Sequence, residues 1–426
     1  MMKCSEYAAA VKNGDIDKKL CALYGADAVK GQRKRYEHML DEFETYFGNT
    51  EVRLFSSPGR TELCGNHTDH NGGKVIAGAL SVDIAAAAEK SDKITIISDG
   101  YGKITAEVTD AEPDKTEYGT VKSIIKGVLH FFKKKNYNIG GFNAYITSQV
   151  PKGSGMSSSA AFEVLICTVL NRLYNGSAID FKETAQISQK AENIYFGKPC
   201  GLMDQMACAA GGIVYVDFFN EKDPTVKKVE CRNLSEKYAV CIVDTGANHA
   251  DLTDDYALVP REMRLIAKSL GVSRLADTDR EKLYKKLPEL IKDGNHRAIL
   301  RAMHFFDEND RVDAIYKYFE DDKTAKALEL MGSSGHSSFE YLQNVYSPHA
   351  ATEQRIPIAL KLAWDFINNV CGDGACRVHG GGFAGTTLNI IPKEYAERFC
   401  KYINGFFGNE SCHILKIRQA GGVCIE

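Results

Sequence analysis

The chain has 426 residues, 53 basic against 56 acidic side chains and a formal net charge of −3. That length accommodates a large core and two domains, while the balanced charge argues against nucleic-acid binding and no apolar run reaches the roughly 18 residues of a membrane span. Thirteen cysteines are scattered without a Cys-x-x-Cys pair or a Cys/His cluster at zinc spacing, a usage that fits reduced thiols serving as small hydrophobes in a cytoplasmic protein.

Residues 5–46 carry apolar side chains at helical spacing, among them Leu20, Leu23 and Tyr24, and are predicted to be helical. Val52–Ser56 is a predicted strand leading to a turn at Ser57-Pro58-Gly59. Lys74–Ala88, rich in small and β-branched residues, reads as a buried strand, and Lys93–Ser98 alternates before a turn at Asp99-Gly100. Val121–Phe132 is a helix and Phe142–Ser148 an alternating strand; Ala160–Leu173 and Phe181–Asn193 are helices, and Gly211–Phe219 a strand. The texture changes near Cys231–Lys237. The boundary is set there, between a first domain over 1–235, with a helical extension over 1–50, and a second over 236–426. In the second, Tyr238–Thr245 is a strand, and helices are predicted over Asp254–Ser269, Asp279–Lys292, Arg297–Asp307, Asp310–Glu320, Thr324–Met331 and Ile356–Asn369. Ala375–His379, Thr386–Ile391 and His413–Arg418 complete the strands.

Pro151–Phe162 reads Pro-Lys-Gly-Ser-Gly-Met-Ser-Ser-Ser-Ala-Ala-Phe. Small residues let backbone N–H groups turn around an anion, and the helix that follows offers free N–H groups and the positive end of its dipole. Serine hydroxyls add donors, or ligands for a cation accompanying a phosphate. Ordinary helix capping needs one serine, and three adjacent ones favour phosphate binding. The Gly-Lys-Ser/Thr ending of a P-loop is missing.

Gly59–Gly73 packs polar groups between glycines, with an Arg, an Asn, two His and an Asp within eleven residues. A polyhydroxyl ligand needs such a mixed set, because each hydroxyl both donates and accepts; a polar turn is the plainer reading. Glu192 ends a helix, and Asp204 sits in Gly-Leu-Met-Asp-Gln beside a run of small residues. A carboxylate there is either paired or chemically used. A second glycine-rich loop, Gly380–Gly385, lies between two strands and suggests close backbone approach.

Together these stretches resemble the GHMP small-molecule kinases, and within them the galactokinases. Gly59–Asn71 resembles the galactokinase signature Gly-Arg-x-Asn-Leu-Ile-Gly-Glu-His-Thr-Asp-Tyr-Asn, Pro151–Ala161 its phosphate loop, and Gly380–Gly385 its third glycine motif. Arg301–His304 with Glu308 and Asn309, and Leu330–Met331 with His336 and Ser337, extend the likeness over most of the chain. The resemblance implies an α+β fold of two domains, the first like domain 2 of ribosomal protein S5 and the second ferredoxin-like, with the active site between them. It implies an ATP-dependent sugar 1-kinase acting on galactose.

Carried over by position, Asp204 is the base near the anomeric hydroxyl and Arg60 its partner. Asn66, His67, Thr68, Asp69 and Tyr256 contact the sugar. Ser98, Gly153, Ser154, Gly155, Met156, Ser157, Ser158 and Ser159 surround ATP, and Ser159 and Glu192 hold Mg2+. ATP and a small sugar are the expected partners, without nucleic acid or membrane, and a monomer or weak oligomer is expected. Two departures stand out: the signature's Glu is Asn66 and its Tyr is His70. Asn accepts a hydrogen bond but carries no charge, so a sugar with a C6 carboxylate, such as galacturonate, is the alternative substrate. A sugar sensor without catalysis is a further alternative.

Overall fold

The computed structural model describes residues 2–151, 155–246 and 252–425. After a short strand β1 (Met2–Lys3), three helices α1 (Cys4–Asn13), α2 (Asp17–Tyr24) and α3 (Val29–Phe47) form the N-terminal extension. In α3 the buried residues are Gln32, Tyr36, Met39, Leu40 and Phe43, one face of a 3.6-residue period. Long strands β2 (Glu51–Cys64) and β3 (Lys74–Ser91) follow, then β4 (Ile94–Ser98), β5 (Gly102–Ala106), helix α4 (Val121–Lys134) and β6 (Gly141–Ser148). Helices α5 (Ser158–Tyr174), α6 (Phe181–Lys190) and α7 (Met203–Ala210) precede β7 (Ile213–Asp217) and β8 (Thr225–Val229). The strands run β1-β2-β3-β6-β4-β5, with β7 and β8 extending from β3.

Both faces of this sheet are covered, and the run Ala85–Ala88 on β3 shows how. Ala85 and Ala87 pack with the N-terminal helices, whereas Ala86 and Ala88 face the main core with α4 to α7. Leu54 and Phe55 on β2 divide the same way. A strand buried on both sides reads as continuously apolar, which is why its sequence lacks alternation. The extension is thus the second cover of the sheet.

A short helix α8 (Arg232–Lys237) leads to β9 (Tyr238–Asp244) and the helices α9 (Thr253–Ser269), α10 (Arg280–Lys292), α11 (His296–Glu320), α12 (Thr324–Ser337) and α13 (Arg355–Phe366). Strands β10 (Ala375–Val378) and β11 (Thr386–Pro392), helix α14 (Lys393–Phe407) and β12 (Cys412–Leu415) complete an antiparallel sheet of order β10-β11-β9-β12. The last strand, β13 (Val423–Ile425), returns to the first sheet and pairs with β2.

Several expectations change. Ser57-Pro58-Gly59 is no turn: β2 runs through it, and the register jumps between Pro58 and Arg60. A bulge absorbs the proline and glycine and re-aims the next side chain, which is Arg60. Two helices expected on either side of Glu308 and Asn309 are one, α11, because these polar residues find partners across the fold rather than breaking the helix. Helix α14 had been missed. It brings Cys400 against Cys412 of β12, and the two form a disulfide, correcting the expectation of reduced thiols throughout; the other eleven cysteines are free. Among the described residues no helix is long and apolar enough to cross a membrane.

Candidate active site

The three glycine stretches meet at Gly155 and Met156. From β2, the Arg60 backbone N–H donates to Met156 O at 3.2 Å, and its guanidinium donates to Gly155 O. From the second sheet, the loop between β10 and β11 closes over the same spot. A Cβ on Gly155 would lie 3.0 Å from Thr386 Oγ1 and 3.1 Å from His379 Nδ1, and its φ is +68°. Only glycine fits there without strain. Gly153 and Ser154 lie outside the described residues.

Ser157 stands before the first turn of α5 in left-handed conformation, φ 55°. Its hydroxyl does not cap the helix; it donates to Asp204. The opening N–H groups of α5, where Ser158 and Ser159 stand, have no side-chain cap among the described residues, the arrangement that favours a phosphate.

Asp204 enters from the first turn of α7. Arg60 Nε donates to its Oδ1 at 2.7 Å and a terminal nitrogen to Oδ2 at 2.5 Å, a two-pronged pair. Arg60 is buried, while 29 % of the Asp204 side chain stays exposed toward solvent. Burial pushes the Asp204 pKa up, but the Arg60 charge and the hydrogen bonds from Arg60 and Ser157 outweigh it, so the carboxyl is held below its usual value. It is ionised at neutral pH and reachable.

Next to Asp204, Gln205 Nε2 donates to Glu192 Oε2 at 2.8 Å and Glu163 Oε2 at 3.1 Å. Glu192 lies in a single π-helical turn, Ala191–Phe196, that continues α6, a local widening common at functional sites. Lys198 Nζ reaches it at 3.3 Å and the Cys200 thiol at 3.0 Å. Glu163 is pushed well up by burial and then by Glu192. Its Oε1 and the Gln205 Oε1 are buried without a hydrogen-bond partner among the described residues. Carboxylate and amide oxygens with spare lone pairs are the hard donors that suit Mg2+, so the residues present fit such an ion.

The sugar-signature loop lies on the other flank. His67, with φ 58°, places Nε2 2.9 Å from Gly381 O, a carbonyl that requires the proton on that nitrogen. Burial, with the neighbouring His70, lowers its pKa to about 3, so the ring is neutral. Asp69 abuts Gly201 so closely that a Cβ there would collide with its carboxylate. Tyr256 Oη donates to Gly382 O at 3.0 Å, and its ring fills the space a Cβ on Gly381 would need. Thr68 is fully buried, its hydroxyl 2.7 Å from Lys74 O and 2.9 Å from Gly65 O, where it braces the loop. Asn66 is 1 % exposed and hydrogen-bonded to Glu62, Gly380 and Asn344. Ser98 lies opposite Ile146 at the end of β4, and no contact among the described residues joins it to Asp204 or Arg60.

His304 and Glu308 stood out in the sequence, but their role as supports of this loop did not. Glu308 accepts from the N–H groups of Gly65 and Asn66 at 3.0 and 3.4 Å, and from the hydroxyl of Ser334. His304 Nε2 lies 3.0 Å from Asn66 O. Burial raises the Glu308 pKa, but His304, Arg377 and Arg311 outweigh it and hold the carboxyl far down. The available signal was the resemblance of Arg301–His304 with Glu308 and Asn309, which singled these residues out without a role.

Residues 123–212 match the description of the GHMP kinase N-terminal domain, and residues 41–90 the galactokinase galactose-binding signature. A galactokinase of Clostridium tetani is 30 % identical over 380 residues, covering 85 % of this chain and 90 % of that protein. A galactokinase of Limosilactobacillus reuteri is 28 % identical, covering 87 % and 94 %. The crystal structure of Lactococcus lactis galactokinase complexed with galactose superposes with a TM-score of 0.76 at 26 % identity, covering 90 % of this chain and 98 % of that one. Mevalonate kinase from L. major shares the fold at a TM-score of 0.58 and 14 % identity. With an ionised carboxylate paired to arginine at the head of a glycine-serine helix, and with these relatives along most of its length, the chain belongs to the galactokinase family of GHMP kinases.

Proposed function

We infer that this enzyme transfers the terminal phosphoryl group of ATP to the anomeric hydroxyl of galactose, giving galactose 1-phosphate and ADP. The observation that carries this reading is the Asp204–Arg60 couple set against Gly155 and Ser157 at the start of α5. Asp204 accepts from the sugar hydroxyl and takes its proton as the oxygen bonds to phosphorus. Arg60 keeps that carboxylate ionised and steadies charge beside it. The N–H groups of Ser158 and Ser159 face the phosphates. Glu192 and Ser159, with Glu163 close by, would hold Mg2+, which neutralises phosphate charge when bound. His67, Asp69 and Tyr256 line the sugar end, with Asn66 and Thr68 shaping the loop behind them. Phosphoryl transfer needs little more than such positioning and charge neutralisation.

We read the chain as two domains that meet near residue 235, with the site between them. Arg60 and Asp204 belong to the first side, and His379, Thr386 and Tyr256 to the second. Eleven free thiols support a cytoplasmic setting. A panel of sugars assayed for ADP release tests the substrate: galactose should lead. Galacturonate turned over far better than galactose would overturn the assignment, and sugar and ATP binding without any turnover would leave a sensor.

A further inference from the structure

Asn66 touches a further residue that differs from the quoted galactokinase signature, Glu62. The signature carries Asn and then Glu at the positions of Glu62 and Asn66, so the two residue types are exchanged in this chain. Glu62 lies near the end of β2 and Asn66 in the loop beyond it. Asn66 Nδ2 donates to both carboxylate oxygens of Glu62, each at 3.1 Å, and to Gly380 O at 2.9 Å. Its Oδ1 accepts from Asn344 Nδ2 at 2.7 Å and from Ser338 Oγ at 3.5 Å. Glu62 in turn pairs with a terminal nitrogen of Arg377 at 2.8 Å. Glu62, Asn66 and Arg377 are each at most 2 % exposed.

The exchange keeps one carboxylate in the cluster but sets it four residues back, against a cation. The loop beside His67 and Gly380 therefore presents an amide whose donors and acceptor are all engaged, and no free charge. A buried ion pair is retained only with close partners, and here Glu62 also holds Asn66. We propose that Glu62, clamped by Arg377, is a positioning residue that locks Asn66. It thereby makes the site tolerant of galactose-configured sugars altered at the end that meets this loop, including 6-deoxygalactose. This rests on the galactose 1-kinase reading. The reason for tolerance is that a site built to hydrogen-bond a hydroxyl rejects the analogue lacking it, because its own group is left unpaired; a group already paired inside the protein carries no such penalty.

The test is the exchange in reverse. Wild type should turn over 6-deoxygalactose within about tenfold of galactose in kcat/KM. N66E alone places a second carboxylate against Glu62, and E62N alone takes from buried Arg377 the carboxylate paired with it at 2.8 Å; each should cost more than about tenfold on galactose. The double variant E62N/N66E should recover most of that loss and should discriminate against 6-deoxygalactose by more than about tenfold. If N66E does not fold, recovery of a cooperative melt in the double variant reports the same coupling, and E62Q removes the charge with little change of shape. Single effects that simply add, or a galactose to 6-deoxygalactose ratio that is the same in all variants, would overturn the proposal. Shifts of Tm by each sugar read the corresponding binding preference without turnover. Absence of turnover on every sugar would then sink the kinase reading alone, while an unchanged pattern of sugar-induced shifts would sink the role of Glu62.

Discussion

Replacing Asp204 by Asn keeps the side-chain shape and removes one negative charge, at a point where two Arg60 hydrogen bonds of 2.7 and 2.5 Å and the Ser157 hydroxyl converge. Two losses follow, and they are separable. The amide cannot take a proton from the anomeric hydroxyl, and a group in that role is worth about 10²–10⁴ in rate. That is about 2.7–5.4 kcal/mol of barrier. The second loss is in stability, because buried Arg60 keeps its charge and loses its counter-charge. Breaking a fully buried pair costs about 3–5 kcal/mol. With 29 % of the Asp204 side chain exposed, water relieves part of this, and the lower end of that range is expected. The assay is kcat from ADP release at saturating galactose and ATP, with ATP affinity from a separate titration and Tm from a melt. Because Gly155 and the N-terminus of α5 are untouched, ATP affinity should stay within about threefold while kcat falls by at least about a hundredfold. A folded Asp204→Asn protein with more than about a tenth of the wild-type kcat would remove Asp204 from the chemistry.

Arg60 and Glu192 give two further tests. Asp204 has a depressed pKa, so its active, ionised form is present above that pKa and is lost as pH falls through it. Arg60→Ala removes the main opposing influence to burial, and the acidic limb of the kcat/KM profile should move to higher pH; a fall in rate with an unmoved limb would show that Arg60 does not set this ionisation. Glu192→Gln keeps the hydrogen bond from Gln205 but removes the Glu192 carboxylate beside Glu163, whose own pKa is pushed well up by burial. The Mg2+ concentration for half-maximal rate should rise on the order of tenfold or more, and the Mg2+-induced shift in Tm should shrink. An unchanged Mg2+ requirement by both readouts would place the ion elsewhere.

Much of the chemistry was legible because it is local. The glycine-serine run predicts a helix N-terminus open to an anion, and α5 has one, with Ser157 turned away from capping. The Gly59–Gly73 stretch reads as a polar turn, but only Gly65–Gly73 forms a loop, closed by the positive φ of Gly65 and Gly72, while Gly59–Cys64 belong to β2. Strands such as β3 were found from composition alone, since burial on both faces demands an apolar run. The bulge at Pro58–Arg60 was not, because a proline and a glycine read alike in a turn and in a bulge, and only pairing with β3 distinguishes them.

What the amino-acid order determined by itself is the set of chemical groups and their local frames: an anion cradle, a carboxylate near small residues, a polar signature loop. Their meeting is a property of the tertiary structure alone. Arg60 and Asp204 are 144 residues apart, and Asn66 and Gly380 are 314 apart. Side-chain charges carry no record in the sequence of which partner will face them. The pairing of Glu62 with Arg377, and of Glu308 with the backbone of the sugar loop, is decided by how α11 and the second sheet pack against β2. A buried charge finds its stabilisation in three dimensions, through desolvation and close opposite charge, and neither is a function of position along the chain.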